Sequence, residues 1–187
     1  MKQLFAIIFS LFIVTTAHAQ GYVAGSLGLS KVRDACDGFG AAGVTCDDSD
    51  ISWKVSLGYQ INPSFAVEVG YADLGKAKAS GPGGTAELKA NVFEVVAIGS
   101  APIAGNFSAF GKFGFYRGDS TGSIDTVTVV GSASDTNTDV TLGLGGRYDI
   151  NEKLAVRAEW QRYLNVGGDN LGKSDVDILG ASLILKF

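Results

Sequence analysis

The chain of 187 residues contains little histidine, cysteine or proline, with one, two and three residues of these types. Its histidine, His18, belongs to an N-terminal segment with the features of a signal peptide. In that segment Lys2 precedes a short apolar core, and Ala17-His18-Ala19 fits the small-x-small cleavage pattern. Cleavage after Ala19 would remove residues 1–19 and leave a mature chain without histidine. Ser-His and Asp-His mechanisms are then excluded, and we do not expect an enzyme.

Long hydrophobic runs are also missing. No stretch of the mature chain, residues 20–187, is apolar over the roughly 20 residues that a membrane-spanning helix needs. The formal net charge of −4 disfavours nucleic-acid binding, which relies on Lys and Arg to neutralise phosphates. The glycine-rich run Gly143-Leu-Gly-Gly146 lies inside a predicted strand and opens no helix, so we expect no phosphate-bearing cofactor. The length indicates one domain.

Alternating hydropathy is the feature that the chain has in abundance. From Ile51 to Tyr71 every second residue is apolar, on both sides of the turn Asn62-Pro63-Ser64. A period of two predicts a β-hairpin and not a helix. The same pattern recurs and predicts eight strands, joined by connections that alternate between long and short. The predicted strands are Tyr22–Val32, Ile51–Ile61, Phe65–Tyr71, Ala90–Ala101, Phe107–Arg117, Asp139–Tyr148, Leu154–Tyr163 and Val176–Phe187.

Strands of this length, tilted by about 40°, would span an apolar band of about 25 Å. We predict an all-β fold, an eight-stranded antiparallel up-and-down transmembrane β-barrel with four long outer loops and three short periplasmic turns. The alternative is a soluble, lipocalin-like ligand carrier with its apolar face inside. That barrel would have to enclose Trp53, Phe113, Trp160 and many other rings, more than an eight-stranded interior holds. Rings that face lipid in two girdles fit the membrane barrel.

The alternate strand positions that are predicted to face the barrel interior carry charges of both signs. Buried charges must pair, because an unpaired one costs several kcal/mol. In a narrow interior we therefore expect a neutralising network that fills the barrel. A small ion-conducting pore lined by the same charges is the alternative, and charge reversal at Lys112 would separate the two. The predicted network consists of Lys54, Glu68, Glu94, Lys112, Arg147, Arg157 and Glu159.

Cys36 and Cys46 lie together in the first long polar segment. In an exported chain an even number of cysteines predicts a disulfide. A metal site built on the two thiolates is the alternative. It would need two further ligands, and without histidine these would have to be carboxylates. We therefore predict the disulfide and no metal.

Three basic residues mark the outer ends of predicted strands. Lys31, Arg117 and Arg162 share the lipid-facing parity close to the long connections. Basic groups at this level are candidates for contact with lipopolysaccharide phosphates. The alternative is that they only extend along the membrane surface toward water, as long cationic side chains commonly do.

Two stretches of the sequence carry a family resemblance. One is Val69-Gly-Tyr-Ala-Asp-Leu-Gly75, and the other is the last strand, where Leu179, Ala181, Leu183 and Leu185 alternate up to the terminal Phe187. They resemble the OmpA-like and OmpX-like outer-membrane barrels of Gram-negative bacteria, over about Gln20 to Phe187. The resemblance implies a cell outer-membrane location with both chain ends in the periplasm. It also implies that the barrel-assembly machinery recognises Leu183, Leu185 and Phe187.

The resemblance carries expectations about function as well. It implies a non-enzymatic structural barrel, a monomer, whose surface loops bind a host factor, mediate adhesion or contact lipopolysaccharide. Full-length OmpA proteins continue into a peptidoglycan-binding domain, and residues 20–187 are taken up by the barrel alone. We therefore do not expect a role in tethering the envelope to the cell wall.

Overall fold

A computed structural model of the chain describes residues 21–33, 35–36, 44–126, 130–168 and 172–187. The predicted signal peptide, residues 1–19, lies outside the described residues. The strands are β1 (Gly21–Val32), β2 (Thr45–Asp47), β3 (Ser49–Asn62), β4 (Phe65–Gly81), β5 (Gly84–Ala104), β6 (Phe107–Thr126), β7 (Val130–Asp149), β8 (Leu154–Gly168) and β9 (Gly172–Lys186). Within these ranges no helix is long and apolar enough to cross a membrane.

Eight of the nine strands found in the described residues pair antiparallel in a closed cycle, which confirms the predicted barrel. Each strand from β3 to β8 pairs with the one that follows it. β1 pairs with β3 on one side and with β9 on the other. The β1–β9 pairing runs from Tyr22↔Lys186 to Val32↔Val176 and joins the two ends of the chain. Closure satisfies backbone hydrogen bonds that lipid cannot satisfy.

The apolar parity of the strands faces outward, as predicted. On β3, Val55 and Leu57 are 49% and 63% exposed, whereas the alternating residues Lys54 and Ser56 are buried. An exposed apolar surface of this extent would not be stable in water, so it marks the surface that lipid covers. This outward belt includes Leu27, Leu29, Trp53, Val55, Leu57, Phe65, Val69, Tyr71, Phe93, Phe113, Phe115, Leu144, Leu179 and Leu183.

Local hydrogen bonds hold the short turns. In the turn between β3 and β4, the Asn62 side-chain oxygen accepts hydrogen bonds from the backbone amides of Ser64 and Phe65 at 2.8 and 2.9 Å. Asn151 makes the equivalent pair of bonds in the turn between β7 and β8. An asparagine side chain that caps the chain in this way specifies a tight reversal. These two turns are therefore determined by local sequence.

The strands are longer than predicted on the outer side. A membrane-spanning strand needs roughly 9–11 residues, and β5, β6 and β7 have 21, 20 and 20. The segments 75–88 and 118–138, predicted as long loops, are largely strand, and β4 and β5 are joined by only Pro82 and Gly83. Composition concealed this, because Gly, Ser and Thr carry little strand signal until a neighbouring strand supplies hydrogen-bond partners. Roughly half of each long strand therefore projects beyond the membrane.

The first outer segment contributes the short strand β2, which was not predicted. It pairs with β4 through Cys46↔Ala79. That contact lies beyond Trp53↔Asp73, where the pairing between β3 and β4 ends. β2 therefore continues the wall of the barrel on the outer side, where β3 no longer covers the edge of β4.

A β-bulge between Asp73 and Lys76 changes the parity of β4. Ala72 is buried on the membrane side of the bulge and Ala77 on the outer side, so the inward face passes from even to odd positions. Gly75 makes the bulge possible, because its φ of 75° favours glycine. A Cβ atom at this position would also lie 2.7 Å from the Cβ of Asp50. β4 therefore keeps an apolar residue, Ala77, on its inward face beyond the bulge.

Candidate functional site

Six charged side chains are buried inside the barrel among the residues that the structure describes. They lie on β3, β4, β5, β6 and β8, at the alternate positions that face inward, and each is at most 7% exposed. Three are cations and three are anions, so their formal charges cancel. This interior charge cluster consists of Lys54, Lys112, Arg157, Glu68, Glu94 and Glu159.

Glu159 lies at the centre of the interior charge cluster. Its carboxylate is 2.9 Å from Nζ of Lys54, 2.6 Å from Nζ of Lys112 and 3.3 Å from Nε of Arg157. A buried carboxylate is stable only with such partners, because removing an ion from water costs several kcal/mol. Glu159 therefore connects all three interior cations.

Glu68 binds Arg157 from the other side. Nη1 of Arg157 donates to Oε1 of Glu68 at 2.7 Å, and the hydroxyl of Tyr22 donates to the same oxygen at 2.8 Å. Nζ of Lys112 lies 3.8 Å from the other carboxylate oxygen. Tyr22 was absent from the predicted set, which contained only charged residues. Its position on the inward parity of β1 was the signal that could have identified it.

Glu94 has neutral donors as well as a cation. The side-chain amide of Gln161 and the hydroxyl of Tyr163 each donate to its Oε2 at 2.7 Å, and Nζ of Lys54 lies 3.4 Å from its Oε1. Gln161 also accepts a hydrogen bond from Lys54 at 2.6 Å and donates one to Thr141 at 2.9 Å. Gln161 and Tyr163 share the inward face of β8 with Arg157 and Glu159, so alternation would have found them.

Arg147, predicted as a member of the interior network, lies apart from it. Its guanidinium donates to Oδ1 of Asp149 at 2.8 and 3.1 Å, and Lys186 donates to the same oxygen at 2.5 Å. Arg147 is only two residues from the end of β7, so its nearest partners are at the periplasmic mouth. Burial raises the pKa of Asp149, but the hydrogen bonds from Lys186 and Arg147 outweigh this effect and hold it below its ordinary value.

Buried apolar side chains form a layer on each side of the interior charge cluster. On β5, Val96 and Ile98 follow Glu94 toward the periplasm, and Val92 and Ala90 precede it toward the outer side. The periplasmic layer contains Tyr22, Ala24, Ala66, Val96, Ile98, Phe110, Ala155 and Ile184, and the outer layer contains Val32, Ala72, Leu74, Ala77, Ala90, Val92, Tyr116, Tyr163, Val166 and Val176. The interior charge cluster therefore lies between two apolar layers.

The predicted rim cations lie where the outward parity changes from apolar to polar. Arg162 donates to both carboxylate oxygens of Asp177, at 2.7 and 2.9 Å. Nζ of Lys31 lies 3.6 Å from a carboxylate oxygen of Asp48. Arg117 is exposed on β6. Two of the three cations therefore already have acidic partners, and a negatively charged ligand would have to compete with them.

Two further sequence predictions concern the first outer segment and the last strand. The disulfide between Cys36 and Cys46 is present and fixes the first outer segment to β2. In the last strand Leu183 and Leu185 are each 49% exposed on the lipid-facing side, and Phe187 is 68% exposed. Their recognition by an assembly machinery stays a prediction.

A closed antiparallel ring, an outward apolar belt and an interior filled by paired charges define a small β-barrel of the outer membrane. The family model described as the OmpA-like transmembrane domain matches residues 16–187. The chain belongs to this family.

Relatives in two organisms are similar at the sequence level. The chain is 29% identical over 148 residues to outer membrane protein A of Yersinia pseudotuberculosis and 26% identical over 165 residues to that of Klebsiella pneumoniae. These alignments cover 78% and 84% of this chain but 42% and 48% of the relatives. The chain thus spans less than half the length of the curated relatives that it matches.

Solved structures share the fold at low identity. Neisserial surface protein A has a TM-score of 0.60 at 16% identity, covering 92% of this chain and all of that one. The N-terminal barrel domain of Pseudomonas aeruginosa OprF has a TM-score of 0.52 at 12% identity, with 89% and 98% covered. A third structure is Ail, the attachment invasion locus protein of Yersinia pestis, in complex with the heparin analogue sucrose octasulfate. It has a TM-score of 0.52 at 15% identity, covering 89% of this chain and 99% of that one.

Proposed function

We propose that the protein is a non-enzymatic structural barrel whose interior is a plug and whose outer end binds ligands at the cell surface. The observation that carries this proposal is the interior charge cluster, which has no net formal charge and lies between two apolar layers. A pore needs sites that bind an ion well enough to let it enter and weakly enough to let it leave. A cluster in which each charge already has an internal partner supports the plug over the alternative, the small ion-conducting pore.

Conductance in a planar bilayer tests the plug. We expect the refolded mature chain, residues 20–187, to insert without frequent stable openings. Reversing the charge of Lys112, which is 4% exposed, with Lys112→Glu changes the net charge of the cluster from zero to −2. We expect this variant to leak or to lose stability. The matched control is Lys153→Glu at the exposed periplasmic turn, which should remain silent.

Openings of the unaltered protein, frequent and stable and with a selectivity that Lys112→Glu reverses, would establish the pore and overturn the plug. Silence counts only when insertion has been verified in the same membrane, for example by co-flotation with lipid vesicles. The two variants carry the same change in charge, so a difference between them reports the location of the charge.

Binding at the cell surface is the second part of the proposal. The projecting halves of β4 to β7 support it, because loops on a rigid scaffold commonly carry specificity. The β4–β5 hairpin can be shortened by replacing residues 78–87 with a two-residue turn, since Ala77 and Leu88 are paired; the change also removes the residues of β4 with which β2 pairs. We expect bacteria with the shortened hairpin to adhere less to host cells, with equal amounts of barrel in the membrane. Equal adhesion would exclude this hairpin as the binding element.

Contact with lipopolysaccharide is the third part, and it rests on Lys31, Arg117 and Arg162 at the outer limit of the apolar belt. Replacing all three with Gln should lower the amount of lipopolysaccharide that co-purifies with the barrel. Because Arg162 and Lys31 already pair with acids, we expect Arg117→Gln alone to account for most of the loss. The control is Lys153→Gln on the opposite side of the membrane. Unchanged co-purification in the triple variant would refute the contact.

Recognition by the barrel-assembly machinery completes the proposal. Its support is the alternation of exposed Leu183, Leu185 and Phe187 on β9 and at the chain end. We expect Phe187→Ala to reduce the amount of folded barrel in cells, while its refolding in vitro is unchanged. Phe113→Ala, at a lipid-facing position on β6, is the control and should reach the membrane normally.

A further inference from the structure

The outer half of the barrel has the reverse polarity of the half in the membrane. Along β5, the outward positions change from Phe93 and Val95 to Glu87 and Lys89 beyond the membrane. The inward positions of β4 and β5 remain apolar there, as Ala77 and Leu88 show, while β6 and β7 add inward polar groups such as Ser120 and Asn137. A wall that is polar outside and apolar inside is the arrangement of a protein in water. The projecting part of the barrel therefore encloses a mainly apolar space.

This space is incompletely filled. A cavity of about 550 Å³ opens inside the projecting wall. We call it the outer cup, and its inward lining includes Ala77, Ala79, Ala86, Leu88, Ile124 and Ala133. Four of these six residues are alanines, whose small side chains leave the space unfilled. The volume of the cup falls in the range of ligand sites, roughly 300–1,000 Å³.

The outer cup is closed toward the interior charge cluster. Val32 and Ala77 line the cup and also belong to the outer apolar layer. That layer, which contains the fully buried Ala72 and Tyr163, separates the cup from the charges beneath it. The cup is therefore a pocket with a floor, and a molecule can enter it without crossing the membrane.

The charges near the outer cup do not favour an ionic ligand. Lys78 and Glu87 are opposite each other in the β4–β5 pairing, and Nζ of Lys76 lies 3.6 Å from Glu87. The inward residues on either side of the Lys78–Glu87 pair are the alanines Ala77, Ala79 and Ala86, together with Leu88. Lys78 and Glu87 also line the cup, but their opposite charges cancel, so an ion in the cup would lose its water without meeting a net opposite charge, which is costly. An apolar molecule would lose little and would fill the space.

We propose that the outer cup is a binding site for an uncharged, apolar small molecule that enters from outside the cell. This inference goes beyond the structural role proposed above and does not depend on whether the barrel conducts ions. It depends on the inward lining of the projecting strands, which is separate from the rim cations and from the interior charge cluster.

Methyl NMR of the full mature chain in lipid nanodiscs tests the proposal, with naphthalene as the probe. We expect the methyl signals of Leu88 and Ile124 to shift with a saturable dependence on naphthalene concentration. The methyl groups of Leu57 and Leu183 face lipid. They should shift only in proportion to concentration, because naphthalene also partitions into the bilayer. Linear shifts at all four residues would overturn the proposal.

Variants locate the site. Ala86→Phe fills the outer cup and should weaken naphthalene binding by at least roughly tenfold, about 1.4 kcal/mol. Thr121→Phe adds a ring on the exposed outer face of β6 and should leave binding unchanged. Ile124→Asp places a charge at the edge of the cup and provides a second variant with the same expected loss, should Ala86→Phe not fold. Binding that survives in both folded cup variants would refute the site.

The ligand class has its own test. Naphthalene, 1-naphthoate and 1-naphthylmethylammonium have rings of the same size but differ in charge. We expect saturable shifts at Leu88 and Ile124 with naphthalene and at least roughly tenfold weaker binding of both ions. Equal binding of either ion would overturn the uncharged class.

Discussion

Replacing Glu159 with Gln is the sharpest test of the interior charge cluster. The substitution keeps the size of the side chain and removes the charge that Lys54, Lys112 and Arg157 share at 2.9, 2.6 and 3.3 Å. The cluster is left with three cations and two anions. These side chains are at most 8% exposed, so water cannot screen the excess. Removing one partner of a buried ion pair costs about 3–5 kcal/mol, and we expect a loss in this range.

Urea unfolding in lipid vesicles, followed by tryptophan fluorescence, measures this loss. The control is Glu87→Gln in the projecting hairpin, where the partner Lys76 is 3.6 Å away and the two side chains are 49% and 33% exposed. An exposed pair of this kind contributes less than about 1 kcal/mol. The same change in charge should therefore have a clearly smaller effect outside the barrel.

A double variant separates lost charge balance from lost packing. Glu159→Gln combined with Lys112→Met restores a net charge of zero in the cluster. If charge balance decides stability, the double variant should be more stable than the sum of the two single losses predicts, by up to about 3 kcal/mol. The reasoning is refuted if Glu159→Gln costs no more than Glu87→Gln, or if the two interior losses simply add.

Two further predictions concern the periplasmic end of the barrel. Asp149→Asn removes a carboxylate whose pKa is lowered in the folded state by hydrogen bonds from Lys186 and Arg147. The variant should therefore be about 1–2 kcal/mol less stable at pH 7. The difference in urea unfolding should begin to shrink below about pH 4, the unfolded pKa of Asp, and vanish once the pH has fallen through the lower folded-state pKa and Lys186 loses its partner. A difference independent of pH would contradict this. Gly58→Ala would place its Cβ within the ring of Tyr22, so we expect the free energy of unfolding to fall by about 1–3 kcal/mol. Gly25→Ala is the control, because a Cβ at this position has no neighbour within 4 Å, and it should change the free energy of unfolding little. Equal losses in the two variants would contradict this prediction.

Hydropathy alternation determined the architecture without tertiary information. A period of two along β3 and β4 specifies which side chains share a face, and the number of aromatic rings on one face decided that this face meets lipid. The short turns followed from local residues such as Asn62, whose side chain caps its own turn. These features depend on residues close together in the chain, so the sequence alone predicts them.

The tertiary structure decided which charges pair. Lys54 and Glu159 are 105 positions apart in the chain and meet because closure of the barrel places β3 and β8 across one interior. The same stagger leaves Arg147 at the mouth, although it shares the inward parity. Alternation along a strand shows which face a residue lies on but not its level along the barrel axis. That level follows from the register of the strands.

The neutral partners and the outer cup were also decided by tertiary structure. Tyr22 and Gln161 complete the interior hydrogen bonds, but only the assembled interior shows which polar residues lie beside a carboxylate. The projecting strands were predicted as loops because Ser-, Thr- and Gly-rich segments gain their strand structure from pairing with one another. Local composition thus determined which face of each strand meets lipid, and long-range pairing determined how far the strands extend, where the charges meet and what the barrel encloses.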